Sequence, residues 1–294
     1  MRGASARGRR RFRKIGIVAK LASPEARQLA LSLERALARR GLEVLFDRET
    51  ARVTRRGVGV PRDRIARLSD MVFVLGGDGT LLSVARLAPS STPVLGINLG
   101  ALGFLAGLSR KEALSRLDEV LEGKFRQDKR RRLDVTVSEG PRRGVHRALN
   151  DVVLHKETIA RISTFSVSVG GEPVSRFRGD GVIVSTPTGS TAYNLSAGGP
   201  VLYPTLPAVV VTPICPHTLA QRPLVLPSSS RIGLRVLDSN RREGVRVTLD
   251  GQEGFSVPRS ALVEVRQCAS SVTLLRPVES DHFDKLAEKL RWGI

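Results

Sequence analysis

The chain has 294 residues, 41% of them hydrophobic, and a formal net charge of +20; this length builds one large or two ordinary domains around an ample core. No run of about 18 or more apolar residues occurs, so no helical membrane span is expected, and the basic start MRGASARGRRRFRK has no apolar segment behind it, so it does not read as a secretory signal. Cys215 and Cys268 lie far apart without metal-ligand spacing and are expected as reduced, buried thiols of a cytoplasmic protein. The basic excess is mostly arginine and admits nucleic acid, an anionic membrane or phosphorylated ligands as partners. Aromatics make up only 4%, so the stacking platforms of single-strand binders are scarce. Residues 1–13 read as a basic, disordered and solvated tail, with a nucleic-acid arm as the alternative.

KIGIVAK (Lys14–Lys20) reads as a short buried strand. Ser23-Pro24 opens a helix that runs to about Arg40, with Leu29, Leu33, Ala36 and Leu37 at helical spacing and Gly41 as its stop. LEVLFD (Leu42–Asp47) is the next strand, and ETARVTRRGVGVPRD is expected as an Arg- and Gly-rich loop. Met71–Leu75 and Pro93–Ile97 are further strands, and Lys111–Glu122 is expected as one helix with a Ser109/Glu112 capping box. This alternation predicts an open, mostly parallel α/β sheet. After Lys129 the pattern changes to short β-rich segments separated by Gly, Pro and Ser turns, which predicts an all-β, sandwich-like domain. Ser280–Gly293 returns to helix and needs a surface to cover; the α/β sheet is the expected one.

Met71–Leu75 runs into Gly76, Gly77, Asp78, Gly79 and Thr80. A glycine-rich turn from a parallel strand into a helix offers backbone N–H groups and a helix N-terminus to phosphates. The turn lacks the Lys of a P-loop and carries a carboxylate instead. Beside phosphates, Asp78 either binds a metal or takes a proton, both of which point to phosphoryl transfer; otherwise it caps the helix. A second glycine-punctuated turn, VLGINLGALGFLA (Val94–Ala106), adjoins it in the expected sheet. In the β-rich half, hydroxyls and glycines crowd between Ser185 and Ser196 around Tyr193, a composition suited to ribose and amide groups with a ring for a base. Asp250 reads either as a second carboxylate or as a turn cap, and His217 as a structural loop residue.

GGDGT, Gly96–Ala106, LND (Leu149–Asp151), TPTGSTAY (Thr186–Tyr193), SAGGP (Ser196–Pro200), CPHTL with RPLVLP (Cys215–Pro227) and DGQ (Asp250–Gln252) occur in order along most of the chain. Together they resemble the NAD kinase family. GGDGT is shared with diacylglycerol kinase-like lipid kinases, whereas TPTGSTAY after an Asn-acidic pair is specific to NAD kinases. The resemblance implies an α/β domain of residues 14–129 plus about 277–294 and a β-rich, NAD-binding domain of residues 130–276. It implies transfer of a phosphoryl group from ATP to the 2′-hydroxyl of the adenosine ribose of NAD, giving NADP. Polyphosphate as donor and NADH as acceptor stay open. It also implies a divalent metal, magnesium, on residues left unassigned, and a homo-oligomer, dimer or tetramer. No membrane and no specific nucleic acid are expected as partners. By position, Asp78 matches the family's proton acceptor, and Gly76, Gly77, Gly79 and Thr80 form the phosphate loop, with Gly79 also at the nucleotide. Asn150, Asp151, Arg161, Arg178, Asp180, Thr191, Ala192, Tyr193, Asn194, Leu195, Ser196 and Gln252 match NAD contacts. A lipid kinase sharing GGDGT, or a non-enzymatic nucleotide or nucleic-acid binder, is the competing reading; TPTGSTAY and the intact Asp78 weigh against them.

Overall fold

The computed structural model describes residues 12–20, 23–100, 103–140, 143–157, 162–237 and 245–292. The chain divides into one unit of the residues up to Asp128 together with those from Thr273 on, and a second unit, Lys129–Val272.

The first unit begins with β1 (Lys14–Ala19), five of whose six residues are buried. Helix α1 (Pro24–Arg39) starts where Ser23 accepts a hydrogen bond from the Ala26 N–H, and it buries Ala26, Leu29, Ala30, Leu33, Ala36 and Leu37 along one stripe. Gly41 follows in the left-handed region, φ 68°, and the chain turns into β2 (Glu43–Phe46). The segment expected as a loop is helical at both ends and irregular only between 55 and 61. Asp47 caps α2 (Arg48–Thr54) by accepting from the Thr50 N–H, and α3 (Arg62–Ile65) follows. The buried face of α2 is Thr50, Ala51 and Thr54, so no large apolar residue marks its period. β3 (Met71–Gly76) is wholly buried and leads into α4 (Asp78–Ala85), then β4 (Val94–Asn98) and β5 (Leu108–Ser109). The helix expected over 111–122 is two short ones, α5 (Glu112–Ser115) and α6 (Leu117–Leu121), broken at Arg116 with φ −99° and ψ 11°. There the Ser115 hydroxyl donates back to the Glu112 carbonyl, a bond that competes with helix propagation. The capping pair forms: Ser109 N–H and Oγ both donate to Glu112 Oε2. β6 (Arg126–Arg130) leads out of this stretch.

Among its described residues, the second unit is β apart from a 3₁₀ turn, Gly189–Thr191, and one short helix. Along the chain it runs β7 (Leu133–Val137), β8 (Gly144–Ala148), β9 (Asp151–Lys156), β10 (Ser163–Val169), β11 (Glu172–Gly179) and β12 (Gly181–Ser185). Then come α7 (Tyr193–Ser196), β13 (Ala208–Ile214), β14 (Leu224–Pro227), β15 (Ile232–Val236), β16 (Val245–Leu249), β17 (Glu253–Val257) and β18 (Val263–Gln267). They build two six-stranded sheets, ordered β11-β10-β15-β18-β7-β8 and β14-β13-β12-β9-β16-β17. Val135, Phe165 and Leu234 of the first sheet share one core with Val152, Val182 and Val247 of the second, which is the expected sandwich. β7 and β16 alternate buried and half-buried residues, while β12 and β13 are buried throughout.

The chain then re-enters the first unit. β19 (Val272–Arg276) lies parallel to β4, and the sheet runs β2-β1-β3-β4-β19-β6 with β5 beside β4. Arg276 pairs with Asp128 at 2.7 Å and donates to the Phe104 carbonyl. Helix α8 (His282–Leu290) is capped by Asp281, buries Leu286, and sends Lys285 Nζ to the Ala106 carbonyl at 2.7 Å. Of the expected tail of residues 1–13, Phe12 and Arg13 belong to the fold, and residues 1–11 lie outside the described residues. Phe12 is a buried member of the α/β core, and Arg13 N–H donates to Asp70.

Candidate functional site

In the α/β unit, Gly77 is extended at the entry to α4 and Asp78 is the first residue of that helix. The side chain of Asp78 does not turn back onto the helix. Its Oδ2 accepts the Phe104 N–H at 2.9 Å and its Oδ1 the Leu105 N–H at 3.2 Å. The carboxylate therefore joins the two glycine-rich stretches. Gly103 makes this possible: a Cβ there would stand 2.2 Å from Asp78 Oδ1. Two accepted bonds leave the carboxylate with further lone pairs for a proton. Gly76 packs against Thr80, whose Oγ1 would lie 2.6 Å from an added Cβ, and Gly79 is exposed.

In the β unit, a cavity of about 620 Å³ is walled by Asn150, Asp151, Asp180, Ala192 and Tyr193, all expected from the sequence. Asp151 is 3% exposed and its carboxylate has no hydrogen-bond partner among the described residues. Burial, and then the charge of Asp250, push its pKa from 3.8 up to about 7. Asp250 is held in the left-handed region, φ 53°, and accepts the N–H groups of Leu149, Asn150 and Asp151 at 3.0, 2.7 and 3.3 Å. It is thus a brace that fixes the entry to β9 rather than a simple turn cap. Asn150 is held from the other side, because Gly189 packs so closely that a Cβ would stand 2.2 Å from the Asn150 carbonyl. The Asn150 Oδ1 is buried with no partner. Tyr193 is half exposed; burial raises its hydroxyl above the ordinary value, and the charges of Cys215, Asp180 and Asp151 add to this.

The other expected contacts have different placements. Asn194 is fully buried, donates to the Ser190 and Pro200 carbonyls and accepts from Thr212 Oγ1, so it holds the loop together. The hydroxyls of Ser185, Thr186 and Ser190 also bond within this part of the fold. Their density builds the loop's frame. Thr191 and Leu195 are half-buried and Ser196 is exposed, none of them in the cavity wall. Arg178 is exposed on β11, where its carbonyl accepts from the exposed His217; Gln252 is exposed in the turn after Asp250. Arg161 lies outside the described residues. Sequence reasoning missed His155, Lys156 and Thr248 of the wall, and Cys215, expected buried like Cys268, is an exposed thiol there because it lies just beyond the end of β13. One signal was available: Asp151, Val153 and His155 fall on one face of a strand. His155 Nε2 lies 3.1 Å from Thr248 Oγ1, and Lys156 pairs with Asp180 at 2.7 Å. Among the described residues, no group of three or more His, Cys, Asp or Glu is placed to hold a metal ion. Nor does any described helix have the length and apolarity to cross a membrane.

Two sequence-family models match this chain: the ATP-NAD kinase N-terminal domain over residues 15–125 and the ATP-NAD kinase C-terminal domain over residues 149–277. The NAD kinase of Geobacter sulfurreducens is 42% identical over 284 residues, 96% of this chain and 99% of that protein. The NAD kinase of Syntrophotalea carbinolica is 42% identical over 285 residues, with the same coverage. Among solved structures, yeast NADH kinase complexed with NADH superposes with a TM-score of 0.86 at 27% identity, covering 96% of this chain and 88% of that one. An NAD kinase from Archaeoglobus fulgidus in complex with ATP superposes with a TM-score of 0.76 at 25% identity, covering 95% and 98%. The chain belongs to the NAD kinase family. The lipid-kinase and non-enzymatic readings gain no support from these relatives.

Proposed function

We infer that the chain is a kinase that phosphorylates NAD with ATP, and that the acceptor is the 2′-hydroxyl of the adenosine ribose, giving NADP. The observation that carries this reading is the cavity of the β unit. It gathers a half-exposed aromatic ring, a buried amide oxygen without a partner and a buried carboxylate. A ring face takes a base, and orphaned buried acceptors call for donors such as ribose hydroxyls. The relatives agree with both substrates: one solved neighbour holds NADH and the other ATP.

Gly76, Gly77, Gly79 and Thr80 offer backbone N–H groups at the start of α4 to the donor's phosphates. The 2′-oxygen forms a bond to the γ-phosphorus, the bond from that phosphorus to the bridging oxygen breaks, ADP leaves, and Asp78 accepts the hydroxyl proton. Phosphoryl transfer needs positioning and charge neutralisation more than a strong base, which suits a carboxylate tethered by two backbone donors. The magnesium ion implied by the resemblance finds no built site among the described residues. We place the activity in the cytoplasm and in a homo-oligomer. Edge strand β14, with Leu224 and Val225 exposed, supports self-association, which light scattering checks.

A coupled assay for NADP in a grid of ATP or polyphosphate with NAD or NADH tests the reading. NADP formed from NAD and ATP is the expected result; no product from any pair of substrates would overturn it.

A further inference from the structure

Five arginines of the α/β unit pair with carboxylates. Arg40 meets Asp118 at 2.7 Å, Arg56 meets Glu34 at 3.0 Å, and Arg62 reaches both Asp47 and Glu49. Arg116 binds Glu119 and Glu279, and Arg276 binds Asp128. Lys20, Arg27, Arg52 and Arg55 stand outside this scheme. None has a side-chain partner among the described residues, and all four are exposed. They line one cleft of about 740 Å³ between α1 and α2, whose lining includes no carboxylate.

Four like charges around one concavity repel one another, and no carboxylate of the described lining offsets them. A cleft that keeps its cations unneutralised matches a multivalent anion. The guanidinium groups offer forked donors suited to phosphate oxygens. Arg55 ends α2 in the left-handed region, φ 57°, a conformation that non-glycine residues take rarely. The cleft also has a direction. Lys20 N–H donates to the Leu75 carbonyl at 2.7 Å, and an added Cβ on Gly76 would lie 3.2 Å from Lys20 Cβ. One edge of the cleft therefore adjoins the glycine-rich turn.

We propose that the cleft between α1 and α2 binds a chain of condensed phosphates leading away from the glycine turn. The chain is either the tail of a nucleoside triphosphate donor or inorganic polyphosphate. The inference rests on the kinase reading and adds a donor-side site to it. The test compares the full chain, the triple variant Arg27→Gln/Arg52→Gln/Arg55→Gln, and a charge-matched control, Arg39→Gln/Arg64→Gln/Arg67→Gln, all exposed positions. Calorimetry measures tripolyphosphate binding without magnesium, and steady-state kinetics gives KM for ATP, polyphosphate and NAD. The cleft variant should bind tripolyphosphate about tenfold or more weakly, with the control unchanged, since each lost hydrogen bond to a charged group weighs heavily. A matching rise in KM for ATP with KM for NAD unchanged identifies the nucleotide tail. A rise for polyphosphate alone identifies the inorganic chain. Unaltered tripolyphosphate affinity in a variant with unchanged melting, or equal losses in variant and control, would overturn the proposal. A wild-type chain that makes no NADP would sink the kinase reading separately, because tripolyphosphate binding does not depend on turnover.

Discussion

The two units handle their acidic side chains differently. In the α/β unit, Asp78 sits half-buried at a helix start with both oxygens engaged by backbone N–H groups of a distant loop. In the β unit, Asp151 is almost wholly buried and unpartnered, while its neighbour Asp250 takes three backbone donors. A carboxylate buried without donors beside another carboxylate holds its charge only at high cost, which is the position of Asp151. The α/β unit thus presents backbone amides and one tethered carboxylate, which suit the proposed phosphoryl transfer. The β unit presents side chains around a cavity, which suits the proposed nucleoside site.

The largest effect should come from Asp78. Asp78→Asn should lower turnover by about 10²–10⁴-fold, the range for a general base, while NAD affinity persists. The amide NH₂ would also face a backbone N–H, so melting should be recorded alongside, and Gly103→Ala offers a second view. It displaces the carboxylate from its tether without removing it. Near wild-type turnover in Asp78→Asn would dissolve the contrast on the α/β side.

Next is Tyr193. Tyr193→Ala should weaken NAD binding by about 1–3 kcal/mol, the scale of base–aromatic stacking, and leave KM for ATP nearly unchanged. Equal losses for both substrates would mean that the ring supports the fold instead.

Asp151 sharpens the contrast through pH. Its folded pKa, about 7, lies above its ordinary 3.8, so the protonated form is favoured by folding. That contribution is complete below the unfolded value and is lost as pH rises through the folded one. The substrate-free wild type should therefore lose stability between pH ~4 and ~7, and Asp151→Asn should flatten this decline. Urea midpoints across that range decide it; identical slopes would remove Asp151 from the account.

The smallest effect belongs to the basic start. Removing residues 1–10, short of buried Phe12, should leave turnover and melting nearly unchanged, while weak DNA retention at low salt falls. A large loss of kinase activity would give that segment a role in one of the units.

The parallel strands of the α/β unit, the sandwich and the glycine-flanked Asp78 were legible because each rests on local signals: buried runs, turn residues, period two; β19, read with the β-rich segments, joins the α/β sheet instead. Helix α2 was not, because it turns Thr50, Ala51 and Thr54 inward, where apolar residues were sought. The Asp78 tether and the Asp250 brace were invisible for another reason. Their partners are backbone N–H groups 26 and about 100 residues away in the chain, and no side-chain pattern records such bonds. Asn194 shows the converse. A motif position matched to ligand contact is a buried strut, and its neighbour Gly199 leaves it room: an added Cβ would stand 2.1 Å from its Oδ1.

β19 has a consequence for how the protein is made. The strand sits inside the α/β sheet, between β4 and β6, although it follows the whole β unit in the chain. During vectorial synthesis the first 128 residues leave the ribosome with a gap where Leu274 and Leu275 will be buried. The β unit, whose strands all lie in one continuous stretch, can close first. The earlier-made unit is completed last, and a ribosome that stalls before Val272 releases a chain with an open parallel edge, the kind of surface that quality-control proteases and chaperones bind.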